Sequence, residues 1–321
     1  MDLIYANKNR EDIGVMLDYS LDLAIGESEN DFELTIDQNH HCCESGYLIY
    51  IEGTEYGGII DRIHVNTESK EIKYLGRSWS GILESKIITP NDGEDYLVVS
   101  GEANQVLQLL LNQMGLAELF AASGEDSGLI IRCYQFERYV YGYSGIRKML
   151  KQAEGKLLFK YEDNHVILSA VPFIDYTESE QFDTDQAELE LEKVYRGTNH
   201  IICLGKGELK DRQVIHLYAN DEGYISHEQS LFGLSEITEK YDYPNAESLE
   251  ELEQEGKKIL EEAVTEGTAK LSFHAEETVY DIGDIVGSKD IITGIEVKAV
   301  ITKKIVTINK GKVNIEYEVG D

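Results

Sequence analysis

In the first seventy-odd residues, apolar positions recur every second residue. Phe32, Leu34 and Ile36 alternate with Glu33 and Thr35, and further short runs fall at 47–51, 59–65 and 72–75. Period two marks strands covered on one side, and several short strands at this spacing predict a small barrel or sandwich. Gly57-Gly58 inside an extended run reads as a bulge or a close backbone approach.

Beyond residue 90 the period changes. Val106, Leu107, Leu109, Leu110, Leu111 and Met114 form a broad apolar helical face, with Ser100 as the expected N-cap and Gly115 as the terminator. Strands are expected at 129–136 and 138–143. Ser144 then opens a second helix carrying Ile146, Met149, Leu150 and Ala153, closed by Gly155. A hairpin over EDNH joins 157–161 to 166–170.

After Pro172 comes an acidic segment to about Lys193, in which Leu189, Leu191 and Val194 point to a solvated strand and connector. Further strands are expected at 199–204, 214–219, 268–273, 284–287, 294–302 and 305–319, and a second β-barrel is their natural closure. A helix at about 245–265 opens at Asn245 or Ser248, with a Ser248–Glu251 capping box. Pro90, Pro172 and Pro244 each fall at a boundary drawn on these other grounds. The expected fold class is mainly β with an α+β insert: residues 1–90 a first β-barrel domain, 91–171 the insert, and 172–321 a second β-barrel domain with its helix. The two β regions are alike in kind, although no residue-by-residue alignment establishes a duplication.

Charge narrows the function. The chain has 29 basic against 61 acidic side chains, a net charge of −32, which opposes nucleic-acid binding because phosphate recognition is led by Lys and Arg. A hydrophobic content of 42% and 20 tyrosines oppose disorder despite that charge. Four cysteines without CxxC spacing, a start without an apolar leader and no membrane-length apolar run predict a soluble chain in a reducing compartment, with no disulfides and no membrane segment.

Candidate chemistry is thin. His40, His41, Cys42 and Cys43 are a possible zinc-ligand cluster, but adjacent ligands on an extended chain point to opposite faces, so a turn with buried cysteines is the better reading. Cys133 and Cys203 lack a neighbour that would activate a thiol. Carboxylates are too numerous for Glu84, Glu228 or Asp284 to argue for hydrolysis, and Gly205–Gly207 lacks the rest of a dinucleotide fingerprint. Tyr139, Tyr141 and Tyr143 beside Arg138 suggest a stripe for sugar or protein, or core packing. No catalytic, cofactor-binding or metal-binding residue is assigned.

The stretch YLGRSWSGILESKIITP at 74–90 holds the sole tryptophan, Trp79, and reads as a short buried turn followed by a strand where one domain closes and the next opens. Its GRSWSGILESKIITP portion, NHIICLGKGELKDRQVIHLY at 199–218 and YDIGDIV at 280–286 together resemble the baseplate hub proteins of phage tails and phage-like particles, including PBSX-type defective prophages and contractile injection systems. Trp79 stands where that family often has leucine.

The resemblance implies two tube-type β-barrel domains per chain and a homotrimer presenting a pseudo-sixfold ring. Such a hub joins a sixfold tail tube to a threefold spike or tip, with other baseplate proteins and the tape measure protein as further neighbours. DNA only passes through its lumen, which carboxylates would keep from sticking. Assembly in the bacterial cytoplasm and residence in the virion tail follow. Rival readings are a tail-associated cell-wall hydrolase, disfavoured because the sequence ends promptly after its last hairpin, and a carbohydrate-binding receptor protein using the tyrosine stripe.

Overall fold

The computed structural model describes residues 1–177, 181–182, 188–192, 197–220, 223–246, 248–264, 268–274, 279–289 and 296–320. Among the described residues strand far outweighs helix, so the fold is mainly β. The chain forms two compact units, Met1–Leu189 with Lys270–Asp321, and Glu190–Ala269.

The first unit opens with antiparallel strands β1 (Leu3–Ala6), β2 (Asp12–Met16), β3 (Ser20–Gly26), β4 (Asp31–Asp37), β5 (Leu48–Tyr50), β6 (Gly57–Asn66) and β7 (Glu71–Ser78). The alternation read from sequence holds: β4 buries Phe32, Leu34 and Ile36 and sets Leu34 opposite Tyr74 of β7. Helix α1 (Trp79–Glu84) and β8 (Ile87–Ile88) follow.

Next come β9 (Val98–Glu102) and α2 (Ala103–Gln113). The apolar face of α2 is as expected, but Ser100 is not its cap. Ser100 lies within β9, where its hydroxyl accepts the Cys133 N–H at 3.1 Å. The cap is Glu102, whose carboxylate accepts the Asn104 and Gln105 N–H groups at 3.0 and 2.9 Å. Burial works against that charge, yet hydrogen bonds from Ser127, Asn104 and Gln105 outweigh it and hold the Glu102 pKa at about 2.

Strands β10 (Phe120–Ala122), β11 (Ile130–Gln135) and β12 (Val140–Tyr141) lead to α3 (Gly142–Gln152). The strand expected at 138–143 is thus only two residues long, because α3 starts ahead of Ser144 with Tyr141 in the cap position. Hairpin β13 (Gly155–Glu162) and β14 (His165–Pro172) turns through Asp163 and Asn164, whose φ values of 51° and 63° fit a two-residue type I′ loop. One continuous core runs from Ala6 and Leu48 through Trp79, Leu107 and Phe120 to Ala170. Strands β15 (Gln181–Phe182) and β16 (Glu188–Glu192) follow.

In the second unit β17 (His200–Leu204), β18 (Val214–Ala219), β19 (Ile225–Ser226) and β20 (Thr238–Asp242) form a sheet in the order β19-β18-β17-β20, backed by α4 (Leu249–Val264). The Ser248 hydroxyl accepts the Glu251 N–H at 3.1 Å, as its capping role requires. Leu252 and Leu260 pack on Ile201, Cys203 and Leu217. A side chain at Gly256 would sit 2.3 Å from the Cys203 sulfur, so glycine there sets how closely helix meets sheet.

Strands β21 (Thr268–His274), β22 (Ile285–Lys289), β23 (Glu296–Asn309) and β24 (Lys312–Gly320) complete the chain. The expected final hairpin is β23–β24, turning through Lys310 and Gly311. Strand β23 also pairs with β3 over seven positions, from Lys303–Gly26 to Asn309–Ser20. The largest sheet therefore runs β21-β24-β23-β3-β4-β7-β6-β5-β1-β2, mixing strands from both ends of the sequence. Val194, the end of the acidic segment at Lys193, the helix end at Thr265 and the strand start at Gly294 lie outside the described residues.

Candidate functional site

Each of the three sequence stretches singled out above builds a joint. In the first, Gly76 of β7 lies so close to β6 that an added Cβ would meet the Ile59 carbonyl oxygen at 1.8 Å. Arg77 grips Asp61 with two hydrogen bonds of 2.8 and 2.9 Å and reaches Ser85 Oγ at 2.8 Å. That bidentate contact pulls the Asp61 carboxyl below its ordinary range. Ser78 caps α1.

Trp79 is 1% exposed and stacks on Tyr161, centroids 5.6 Å apart, and Tyr161 in turn stacks on Tyr50 at 3.8 Å. Backbone bonds from Gly53 to Tyr161 (2.9 Å) and from Tyr161 to Thr54 (2.8 Å) fasten β13 to the same place. The expected buried turn at Trp79 is thus a shared anchor for the first strands and the residues after 90. Glu84 accepts both the N–H and the hydroxyl of Ser144, at 2.9 and 2.7 Å, and so holds the start of α3.

The second joint is a buried ion cluster. Lys156, 3% exposed at its side chain, donates to both oxygens of the fully buried Asp284 at 2.8 Å and to Asp281 at 2.9 Å. Lys304, 1% exposed, donates to Glu55 at 2.7 Å and to Asp281 at 3.2 Å. Burial opposes the charge on Lys304, but Glu55 and Asp281 outweigh it and raise its pKa. Burial likewise opposes the charge on Asp281, and the two lysines outweigh it and lower that pKa. Asp284 is therefore an ion-pair partner, and sequence reasoning that set it aside among many carboxylates missed its burial.

The third joint lies in the second unit. Arg212 donates to the Gly205 carbonyl at 3.0 Å and bonds Asp242, closing the β17–β18 hairpin onto β20. Beside it His200 faces Glu236 Oε1 at 2.8 Å through Nδ1 and His216 Nδ1 at 2.9 Å through Nε2, with Tyr218 stacked at 4.3 Å. Sequence reading missed this array. Its signal was the mirrored placing of His200 and Tyr218 about the hairpin turn, with His216 two residues from Tyr218 and so on the same face.

The remaining candidates are scattered over the first and second units. Tyr74 Oη accepts the N–H groups of Cys42 and Cys43, both at 3.2 Å, and sits 2.8 Å from His41 Nδ1. Burial raises the thiol pKa of Cys42, Cys43 and Cys203. Among the described residues no cluster of three or more His, Cys, Asp or Glu is placed to hold a metal. The tyrosine stripe is split: Tyr139 and Tyr141 are exposed, whereas Tyr143 is buried on α3 because the helix begins where a strand was expected. Glu228 is an exposed loop residue whose N–H donates to Ser226 Oγ at 3.2 Å.

One surface stands out electrostatically. On one face of the β3–β4–β7 region Asp22 lies directly opposite Glu33, with Glu29 and Asp31 nearby, around a cleft of about 430 Å³ that also touches Arg62 and Arg77. Burial, then the charges of Glu33 and Glu29, raise the Asp22 pKa, and burial and Glu29 do the same for Asp31. Like charges opposite one another destabilise a sheet, and here Lys73 offsets part of the cost by pairing with Glu33 at 2.5 Å, as Lys303 does with Glu29 at 2.6 Å.

No protein-family model matches the chain, and no curated protein does. Among solved structures it is similar, at 12% identity, to the prophage tail protein gp18 from Listeria monocytogenes EGD-e, with a TM-score of 0.56 over 100% of this chain and 94% of that one. The tail protein from Neisseria meningitidis MC58 matches at 12% identity and a TM-score of 0.54, over 100% and 96%. The 43 kDa tail protein of prophage MuSo2 from Shewanella oneidensis matches at 12% identity and 0.58, over 99% and 98%. The chain has the fold of these phage tail proteins.

Proposed function

We propose that the chain is a non-enzymatic structural hub at the distal end of a phage or phage-like tail. The observation that carries this reading is the likeness of nearly the whole chain, over nearly the whole length of each counterpart, to three tail proteins. The hub is a homotrimer whose two tube-type barrels, with the α+β insert beside them, present a pseudo-sixfold ring to the tail tube and a threefold face to the spike or tip. Other baseplate proteins and the tape measure protein adjoin it.

In this reading the face bearing Asp22, Asp31 and Glu33 lines the lumen, where fixed carboxylates repel phosphate and let DNA slide. The three joints suit a part that must stay rigid. Quantitative mass spectrometry of particles purified from producing cells tests the role. About three copies per tail, the number a trimeric ring requires, supports the hub. A copy number matching the tube subunit, or absence from particles, overturns it.

A further inference from the structure

The cations of this acidic chain are unevenly placed. Residues 129–160 carry seven basic and two acidic side chains, although acids outnumber bases two to one overall; Arg147, Lys148, Lys156 and Lys160 are held in ion pairs, which leaves Arg132 as the cation on the groove. This segment borders a groove of about 500 Å³ between β11 and α3. Its floor is apolar, with Ile131, Met149 and Ala153, and its rim is polar, with Arg132, Gln152 and, at one end, Glu154.

Strand β11 pairs only with β9, so among the described residues its other edge carries no strand. An open edge is a template for an added strand. The Arg132 guanidinium has neither ion pair nor hydrogen bond among the described residues, whereas Lys148 is paired with Glu137 at 2.8 Å. The β11–β9 register shifts between Ile131 and Tyr134, and Cys133 takes a left-handed φ of 52°. A bulge with a non-glycine residue in that region bends the strand and re-aims its neighbours.

We propose that this groove takes an extended acidic segment of another protein, added as a third strand beside β11. Main-chain hydrogen bonds to β11 supply affinity, alternate apolar side chains enter over Met149, and carboxylates on the other face meet Arg132. Charge complementarity selects an acidic segment. A second copy offers its own open β11 edge, but that strand carries Arg132 and no carboxylate to meet it. The inference goes beyond the tail role and stands or falls without it.

Fluorescence anisotropy on the full chain tests it, with a labelled peptide of alternating glutamate and valine as the probe and a lysine–valine peptide as the control. The glutamate peptide binds saturably and more weakly at high salt, slows amide exchange across Ile130–Gln135, and loses at least about tenfold in affinity in Arg132→Glu. Gln152→Glu, on the opposite wall, gives the same loss and serves if Arg132→Glu does not fold. No saturable binding, equal binding of the lysine peptide, or undiminished affinity in the folded variants overturns the proposal. So does self-association of the wild-type chain that Arg132→Glu abolishes, because the occupant is then a second copy.

Discussion

Lys156 and Asp284, 128 positions apart, meet with both carboxylate oxygens 2.8 Å from the ammonium nitrogen. Asp284 also accepts the Ile174 N–H at 2.8 Å and the Asp281 N–H at 3.0 Å, so one carboxylate organises β13, the chain after β14 and the approach to β22. Breaking a buried pair from one side leaves an uncompensated charge and costs about 3–5 kcal/mol. Lys156→Met should lower unfolding stability by that amount in urea melts. Adding Asp284→Asn should restore most of it, because asparagine is neutral and still accepts an N–H.

The same cluster sets an acid limit. The Asp281 pKa is lower in the folded chain than in the unfolded one, so its contribution is complete above the ordinary carboxylate range. It is lost as pH falls from about 4 towards the lower folded value. Stability measured against pH should drop across that window, and Asp281→Asn should flatten the drop while lowering stability at neutral pH.

Gly76 faces a backbone carbonyl that has no side-chain freedom to yield. Gly76→Ala should destabilise the first unit by more than about 3 kcal/mol, in the range of severe steric and strain mutations. A variant melting like wild type would show that β6 and β7 separate without cost.

Trp79 is the sole tryptophan and belongs to the first unit, whereas the core of the second contains none. Leu252 is fully buried in that second core. Leu252→Ala should cost the second unit about 2–5 kcal/mol. It should shift part of the far-ultraviolet circular dichroism transition and leave the tryptophan fluorescence transition in place. A common shift in both signals would mean that the units unfold as one.

Asp22 and Glu33 oppose each other with like charge. Asp22→Asn should stabilise the isolated chain by about 0.2–1 kcal/mol. In assembled particles the same change, combined with Asp31→Asn, should slow DNA exit. Unchanged ejection would remove this face from the lumen.

Local pattern made much of the fold legible. The period-two runs became β4 to β7, and the apolar spacing of 106–114 became α2. Caps were less legible, since Ser100 and Ser144 are good capping residues in the abstract, yet Glu102 and Tyr141 hold those positions once β9 and β12 fix where each strand ends. Long-range partners were not legible at all. Nothing near Asp284 announces Lys156, and in a chain with 61 acidic residues a single buried carboxylate has no local mark. The pairing of β3 with β23 is hidden for the same reason: each alternates correctly alone, and neither pattern names its mate.

That pairing also orders events at the ribosome. Strand β3 is complete at Gly26, but the residues that cover its edge, Lys303–Asn309, are made only after the long stretch between them. At about 5–20 residues per second, the intervening chain takes roughly 14–56 s to translate. Throughout that interval a nascent polypeptide exposes a sticky strand edge, and chains on neighbouring ribosomes expose the same one. Slow codons between Gly26 and Lys303 should therefore lower soluble yield more than the same codons placed ahead of Ser20.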